Sequence, residues 1–428
     1  MNLHIANGRL VDPAHEIDHN HDLFIADGKV ASVGQRPDGF EADTVIDAKG
    51  LIVSPGLVDL AARLREPGFE YLATLDSEME AAMAGGVTSL AIPPDTDPPL
   101  DEPGLVEMLR YRAKLLNKAH IYPVGALTER LEGKRLSEMA ELKDAGCVAF
   151  SQVNRPIGDT QVLFCALQYA ATFGFRVWLQ PIAPHFAREG VAHDGEVASR
   201  LGLAGIPTAA ETIALFTYIE LARLTGAKLH ITRISSAEGL SMVSRARAEG
   251  LDITCDVSIN HLHLCDMDIG YFDANCRLIP PLRSQRDRDA LKAGLAAGDI
   301  DALCSNHTPV DDDAKQIPFA EAEIGATGLE LLLPLALKWG QEQALSMCDT
   351  LRRITINPAR IIGSRSGHLG AGARADVCIF DANGETTVTR KQLKSQGKNT
   401  PFMGYNLPGQ VRYTIVEGKI MFGEAAVR

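Results

Sequence analysis

The sequence lacks three features, and each absence excludes a class of protein or site. No apolar run approaches the roughly 20 residues that cross a bilayer, so we expect no membrane partner. The eight cysteines form no Cys-x-x-Cys pair, so we expect buried, reduced thiols instead of zinc ligands or disulfides. Positively charged residues are outnumbered: the chain has 42 Lys and Arg and 55 Asp and Glu, so its net charge is −13. That balance argues against a nucleic-acid partner.

Several catalytic signatures are missing as well. The chain has no glycine-rich phosphate loop, no nucleophile elbow and no Cys–His arrangement that suggests a triad. Its first ten residues lack the basic start and the apolar stretch of a signal peptide, so we expect a cytoplasmic protein. Twelve histidines would nevertheless be enough for a metal enzyme. Their positions decide whether the chain has a metal site.

The two ends of the chain have the texture of β-structure. Residues 1–54 contain short apolar runs separated by hairpin and turn signals at Asn7-Gly8, Asp27-Gly28 and Lys49-Gly50. Strand texture returns within residues 363–428, at 375–381 and 411–422, with Gly418 as a hairpin signal. We predict that these two end segments together build one small β-domain.

Residues 55–362 have a different texture, in which apolar, β-rich runs alternate with helical patterns about every 30 residues. The candidate strands are 57–62, 87–93, 120–124, 147–151, 176–180, 228–233, 252–257 and 301–305. Eight strands separated by helices predict an α/β fold, a (β/α)₈ barrel of the TIM type. Among the helices, 208–224 has apolar residues at helical spacing, and Ser235 with Glu238 predicts a capping box before 240–248.

An ordered set of short motifs resembles the dihydroorotases, cyclic amidohydrolases that close carbamoyl aspartate to dihydroorotate. The first is Pro55-Gly56-Leu57-Val58-Asp59 followed by Leu64-Arg65-Glu66-Pro67-Gly68, a run that also fits allantoinases. The set continues through Gly85-Gly86-Val87-Thr88, Leu201-Gly202-Leu203-Ala204-Gly205-Ile206-Pro207, Pro280-Pro281-Leu282-Arg283, Gly328-Leu329-Glu330, Asn357-Pro358-Ala359-Arg360, Ala375-Asp376-Val377 and Asn399-Thr400-Pro401-Phe402. No single motif is specific to the family, but the occurrence of all of them in this order over nearly the whole chain is specific. The resemblance implies a barrel of the amidohydrolase kind.

The resemblance also implies a zinc site, and this chain departs from it. In the family, His-x-His after strand 1, a carboxylate or carbamylated Lys after strand 4, and one His each after strands 5 and 6 hold zinc. An Asp after strand 8 shuttles the proton. At these six positions this chain has Ala61, Arg63, Gln152, Gln180, Arg233 and Asn306. We therefore expect no zinc, no other cofactor, no catalytic residue and no enzymatic turnover.

Two of the six replacements are cations. At about 5–6 Å, Arg63 and Arg233 would each repel a divalent ion by several kcal/mol even at an effective dielectric constant of about 20. The loss of carboxylates after strands 4 and 8 removes charges that would lack a metal counter-ion. The replacements thus compensate one another, and the intact apolar strands indicate that the fold is still needed.

Substrate contacts of the family are partly kept. Arg65 stands where the family's Arg binds the substrate carboxylate, although a structural salt bridge is an equal alternative for it. Asp95 replaces the family's Asn, and its carboxylate would repel an acidic substrate. His230 and His307 of the family motifs are also present.

Two further histidine pairs have the spacing of metal ligands. His19 and His21 lie in the predicted β-domain, far from any barrel mouth, so we expect a solvated pair. His261 and His263 follow strand 7, where this fold normally takes no essential ligand. We expect them to have a core or loop role.

Three functions fit these observations. Dihydroorotases associate with aspartate carbamoyltransferase, fused or as separate chains, and inactive dihydroorotase-like chains occur as its scaffolds. The resemblance thus implies a non-catalytic subunit that forms a hetero-oligomer with aspartate carbamoyltransferase catalytic chains in pyrimidine biosynthesis, with self-association as a dimer. One alternative is a divergent active amidohydrolase with a displaced or metal-free site, supported by the presence of Arg65, His230 and His307 near the expected mouth. The other is a sensor in which Arg63, Arg65 and Arg233 bind a small anion.

Overall fold

A computed structural model describes residues 2–187 and 189–423. Its first part is built from short strands: β1 (Leu3–Ala6), β2 (Arg9–Asp12), β3 (Ile17–Asn20), β4 (Leu23–Ala26), β5 (Lys29–Val33), β6 (Thr44–Asp47) and β7 (Ile52–Pro55). Turns with positive φ separate several of them, with φ of 62° at Asn7, 50° at Asp27 and 79° at Gly50. These residue types adopt that conformation most readily, which is why the sequence marks the turns.

Ten strands follow in the central part of the chain: β8 (Leu57–Asp59), β9 (Val87–Ile92), β10 (His120–Ala126), β11 (Ala149–Ser151), β12 (Arg176–Leu179), β13 (Ala192–His193), β14 (Gly205–Ile206), β15 (Lys228–Ile231), β16 (Ile253–Ser258) and β17 (Ala302–Cys304). Eight of them pair in the order β17-β16-β15-β12-β11-β10-β9-β8, and β13 and β14 pair separately. Between the first and last strands, the His307 N–H donates to the Ala61 carbonyl at 2.9 Å and the Arg63 N–H donates to the His307 carbonyl at 3.0 Å. The predicted (β/α)₈ barrel is confirmed.

Helices connect the barrel strands: α1 (Leu75–Ala84), α2 (Pro103–Leu116), α3 (Met139–Ala145), α4 (Thr160–Phe173), α5 (Pro184–Ala187), α6 (Glu196–Leu201), α7 (Ala209–Thr225), α8 (Ala237–Ala248), α9 (Ile259–His263), α10 (Gln285–Ala297), α11 (Leu332–Glu342), α12 (Met347–Arg352) and α13 (Ile356–Ile362). The predicted capping box of α8 is wrong by one residue. Ser236 caps the helix and accepts from the Gly239 N–H at 3.0 Å. Ser235 instead binds the carboxylate of Glu211, which is buried and needs donors from both serines.

The C-terminal part returns to the β-domain with β18 (Val377–Thr387), β19 (Asn406–Val416) and β20 (Lys419–Phe422). These strands extend a six-stranded sheet in the order β20-β19-β18-β7-β2-β3, so both ends of the chain build it. A second sheet has the order β5-β4-β1-β6. The hairpin at Gly418 is confirmed, although the first of its two strands begins earlier than the sequence indicates. Of the predicted domain segments, residues 1, 188 and 424–428 lie outside the described residues.

The connection between β18 and β19 leaves the β-domain and packs on the barrel. The Gln396 N–H donates to the Glu78 carboxylate at 2.9 Å, and the Asn399 side chain donates to the Thr308 carbonyl at 3.0 Å. The connection therefore lies beside the face of the barrel that is formed by the carboxyl ends of the strands. Within the described residues, every helix is too short or too polar to traverse a bilayer.

Candidate functional site

The replaced family positions all follow carboxyl ends of barrel strands. Because parallel strands end at the same face of a barrel, side chains that follow them converge there. The strands and their following residues are β8 with Ala61, Arg63 and Arg65, β9 with Asp95, β11 with Gln152, β12 with Gln180, β15 with Arg233, and β17 with Asn306. We call this face the barrel mouth.

Several residues of the barrel mouth have a left-handed backbone conformation. The φ angle is 65° at Arg65, 46° at Val153, 54° at Arg233 and 50° at Asn306. Outside glycine this conformation costs about 1–2 kcal/mol per residue, with Asn the least penalised of these residue types. Such residues persist only where the surrounding structure holds them, so the mouth retains a specific backbone shape.

Arg63 forms the central ion pair of the mouth. Its Nε donates to Asp95 Oδ2 at 2.8 Å and its Nη1 donates to Thr308 Oγ1 at 3.2 Å, and the side chain is 7% exposed. Burial alone would raise the pKa of Asp95, but the adjacent Arg63 guanidinium holds that pKa below its ordinary value. The repulsion that the sequence predicts between Asp95 and an acidic substrate is therefore offset by Arg63.

Arg65 does not make the salt bridge that was one of its two expected roles. Its Nε donates to the Pro309 carbonyl at 2.8 Å, and its guanidinium lies 5.9 Å from the centre of the Phe69 ring. Within the described residues, no carboxylate oxygen lies within 4.0 Å of it, because Asp95 pairs with Arg63 instead. Burial and the neighbouring Arg63 charge lower the pKa of Arg65 to about 10.

Arg233 is buried among amide groups. Its Nη2 donates to Gln180 Oε1 and to Asn154 Oδ1, the latter at 3.0 Å, and its backbone N–H donates to Asp256 Oδ1 at 2.8 Å. Burial and the charge of Arg63 lower the pKa of Arg233. Two replaced family positions, Gln180 and Arg233, thus bind one another.

The mouth has an excess of hydrogen-bond donors. Gln152 accepts from the Thr128 hydroxyl at 3.0 Å, but its Nε2 is buried without a partner. The same is true of Gln180 Nε2, Arg63 Nη2 and Arg233 Nε. All four groups are N–H donors, and a donor cannot ligate a cation.

These residues do not fit a zinc ion. Alanine offers no lone pair, and a guanidinium stays protonated and carries a repelling charge. Over residues 2–187 and 189–423, no three His, Cys, Asp or Glu side chains are grouped to hold a metal. The donor set of the mouth is therefore incompatible with the zinc chemistry of the resembling family.

The two retained histidines use both ring nitrogens for structure. His230 contacts Asp256 Oδ2 and Thr254 Oγ1, each at 2.9 Å. His307 Nε2 contacts Glu78 Oε2 at 2.7 Å, and its Nδ1 accepts a backbone N–H at 3.1 Å. Both rings are fully buried. Neither ring has a nitrogen left for a substrate or a metal in this arrangement.

The other histidine pairs lie elsewhere. His19 is exposed on β3, and its ring centre is 4.2 Å from that of His21. The Nε2 atoms of His261 and His263 bind backbone carbonyls, and burial lowers the pKa of each to about 4. A neutral, bonded imidazole in the core is a structural element.

A polar cavity of about 190 Å³ opens beside the Arg63–Asp95 pair. At about 30 Å³ per water molecule, it has room for roughly six waters or a small organic anion. Its lining residues are Arg63, Arg65, Asp95, Asn154, Leu278, Ile279, Asn306, Thr308, Glu323, Ile324 and Gly325.

Three residues of the mouth were not predicted from the sequence: Asn154, Asp256 and Thr308. Asn154 and Thr308 each stand two residues after a replaced family position, and that spacing was an available signal. Asp256 lies within the apolar strand β16. Because a buried carboxylate needs a hydrogen-bonding partner, a single Asp in such a strand indicates a buried polar contact.

A family model described as "Dihydro-orotase-like" matches residues 50–239, and one described as "Amidohydrolase family" matches residues 180–421. A "Dihydroorotase-like protein" of Pseudomonas aeruginosa is 42% identical over 98% of this chain and 99% of its own length. A "Dihydroorotase" of Geobacter sp. is 39% identical over 99% of each chain.

Solved structures match the fold over the whole chain. The L-hydantoinase of Arthrobacter aurescens superposes with a TM-score of 0.88 at 25% identity, covering 100% of this chain and 97% of that one. The dihydropyrimidinase of Brevibacillus agri gives a TM-score of 0.84 at 20% identity, over 98% of this chain and 95% of that one. Sequence and fold agree, and the chain belongs to the dihydroorotase-like amidohydrolases.

Proposed function

We propose that this chain is a non-catalytic, dihydroorotase-like subunit that supports the assembly and activity of aspartate carbamoyltransferase in the cytoplasm. One observation carries the proposal. At the positions of zinc-binding histidines the chain has Gln180 and Arg233, and these two side chains are hydrogen-bonded to each other. A site whose former ligand positions are partnered internally has no need of a metal.

The chemistry of the remaining groups supports the same proposal. Opening or closing a cyclic amide at neutral pH needs an activated water or a polarised carbonyl, together with a group that moves the proton. Asn306 stands at the proton-shuttle position, and an amide does not accept a proton at neutral pH. His230 and His307 are held by Asp256 and Glu78.

The partner in this proposal comes from the family resemblance. The Pseudomonas relatives named "Dihydroorotase-like protein" are 42% and 41% identical and align over nearly the whole chain. Inactive chains of this kind occur as scaffolds of aspartate carbamoyltransferase, so we infer a hetero-oligomer in which this barrel is a structural member.

Co-expression with the aspartate carbamoyltransferase catalytic chain of the same organism tests this role. We expect the two chains to co-purify at a fixed ratio, and the intact mass of the complex to give the stoichiometry. We also expect the catalytic chain to lose its assembled size or its activity when this chain is left out. A catalytic chain with unchanged size and activity in the absence of this chain would refute the scaffold role.

A divergent active amidohydrolase is the second candidate. Two observations favour it: a relative named "Dihydroorotase" is 39% identical over 99% of the chain, and Arg65 is retained at the substrate-carboxylate position. Zinc analysis of the purified protein, together with a dihydroorotase assay in both directions, separates the candidates, because clear turnover without zinc would also favour the active enzyme. The non-catalytic proposal predicts far less than one zinc per chain, whereas stoichiometric zinc would favour the active enzyme.

A further inference from the structure

Arg233 is a buried cation whose guanidinium makes no direct ion pair among the described residues. Its side chain is 3% exposed, and the acceptors of its guanidinium are the amide oxygens of Gln180 and Asn154. In the part of the chain that the structure describes, no carboxylate lies within ion-pair distance of that guanidinium. Asp256 and Asp95 offset part of this charge without touching the guanidinium, whereas Arg63 adds a second positive charge nearby.

Asn154 separates Arg233 from the cavity of the barrel mouth. One end of the Asn154 side chain accepts from Arg233 Nη2, and the residue also lines the cavity beside Arg63. Asn154 is only half-buried and makes no other side-chain hydrogen bond among the described residues. Arg233 does not line the cavity itself, so it can reach a ligand there only if the Asn154 side chain turns aside.

The buried polar groups of the mouth that lack a hydrogen-bond partner are all of one kind. Arg233 Nε, Arg63 Nη2, Gln180 Nε2 and Gln152 Nε2 are all N–H donors, buried and without acceptors. Buried donors in folded proteins are nearly always satisfied, so the mouth lacks acceptor oxygens. A cation or an apolar molecule would leave this deficit unchanged, whereas an oxyanion would correct both the charge and the missing acceptors.

We propose that the cavity binds a small oxyanion, a carboxylate or phosphate, which Arg63 and Arg233 hold after Asn154 turns aside. This goes beyond the proposed scaffold role and does not depend on it. Arg65, at the family's substrate-carboxylate position, also lines this cavity, but the two arginines that would hold the oxyanion stand where the family has metal ligands. Thr308 and Asn306 line the same cavity and provide neutral hydrogen-bonding groups.

The cavity limits the size and charge of the ligand. Its volume of about 190 Å³ matches one small acid and is below the roughly 300 Å³ of pockets that enclose larger ligands. Asp95 and the exposed Glu323 also line it, so a ligand with three or more negative charges would meet strong repulsion. We therefore expect succinate and inorganic phosphate to bind, and larger polyphosphates to bind worse.

Thermal unfolding with added succinate or phosphate is the first test, with potassium chloride at matched ionic strength as the control. We expect a saturable rise of about 1–4 °C in the unfolding midpoint with the oxyanions and not with chloride. Trp178 gives a second readout, because it precedes Gln180 by two residues and its ring lies 4.9 Å from His230. Its fluorescence should change with the same midpoint, and the change should be absent in Trp178→Phe.

Position 154 offers two substitutions with opposite expected results. Asn154→Asp places a carboxylate against Arg233 and should raise the unfolding midpoint without ligand while abolishing the response to succinate and phosphate. Asn154→Ala opens the path to Arg233 and should lower that midpoint while keeping or enlarging the response. Arg286→Gln is the control, because Arg286 is an exposed cation paired with Glu238, and it should respond like the unchanged protein.

Two results would overturn the inference. One is an unfolding midpoint that responds to oxyanions no more than to chloride. The other is an equal response in Asn154→Asp, Asn154→Ala and Arg286→Gln, which would place the ion elsewhere on the surface. Neither result bears on whether the chain assembles with aspartate carbamoyltransferase, so failure here is distinguishable from failure of the proposed function.

Discussion

Arg233 donates a hydrogen bond to the Gln180 side chain, and the dihydroorotases have a zinc-binding histidine at each of these positions. Arg63, at a third ligand position, is paired with Asp95. The replacements therefore form a connected polar network in place of a metal site. Such a network stabilises the mouth only while its members remain partnered, and single substitutions test it.

The ion pair of Arg63 and Asp95 should make stability depend on pH. The pKa of Asp95 is lower in the folded protein than in the unfolded chain. The Asp95 carboxylate therefore contributes stability that is fully present above the unfolded pKa of about 3.9. This stability is lost as the pH falls through the lower pKa of the folded protein. Asp95→Asn should therefore reduce the free energy of unfolding by about 1–3 kcal/mol at neutral pH. Urea unfolding at several pH values measures the difference between the two proteins.

That difference should shrink as the pH falls below about 4, because both proteins then have a neutral side chain at position 95. Asp97→Asn is the matched control, since Asp97 is exposed and lies two residues further on. A difference between the unchanged protein and Asp95→Asn that is constant with pH would contradict the role of the ion pair.

The buried pair of His307 and Glu78 should be important for the stability of the barrel. Glu78 accepts from His307 Nε2 at 2.7 Å and from the Gln396 N–H at 2.9 Å, so it joins the end of strand β17 to helix α1 and to the β18–β19 connection. In Glu78→Gln, one of these donors would face an NH₂ group. We expect the free energy of unfolding to fall by about 1–3 kcal/mol.

Glu80→Gln is the control for Glu78→Gln on the same helix. Glu80 is exposed and pairs with Lys118, and surface pairs of this kind contribute less than about 1 kcal/mol. Chemical denaturation of both variants gives the comparison. Equal losses at the two positions would show that the buried pair has no special importance.

Restoring the histidines of strand 1 should not restore the enzyme. In the double variant Ala61→His, Arg63→His, the positions after strands 4, 5, 6 and 8 still lack their groups, and Arg233 still repels a divalent ion. We expect no retained zinc and no turnover, measured by metal analysis after desalting and by dihydroorotase assay. One zinc per chain in this variant would mean that Arg233 does not exclude the metal.

The strands of the barrel were predictable because of their burial. Strands covered on both faces appear as continuous apolar runs, as in residues 87–92, which are buried throughout. Their ends were less predictable. The run 228–233 suggested one strand, but β15 stops at Ile231, because the chain turns with positive φ at Arg233 to reach the mouth.

The replaced positions were predictable from motif spacing, but their partners were not. Which carboxylate pairs with which arginine depends on side-chain rotamers and on the paths of the loops. Asp95 pairs with Arg63 and not with Arg65, although it follows a different strand from both. Ser235 and Ser236 show the same limit: both bind Glu211, and only the path of the backbone shows that Ser236 caps α8.

Turnover is the most direct test of the central claim, which is that this chain retains the amidohydrolase barrel but not the dihydroorotase reaction. The measurement is the interconversion of carbamoyl aspartate and dihydroorotate by the purified protein in zinc-supplemented buffer, with the Geobacter relative named "Dihydroorotase" assayed beside it. We predict no rate above the buffer blank in either direction. A rate that rises in proportion to the concentration of this protein would contradict the account.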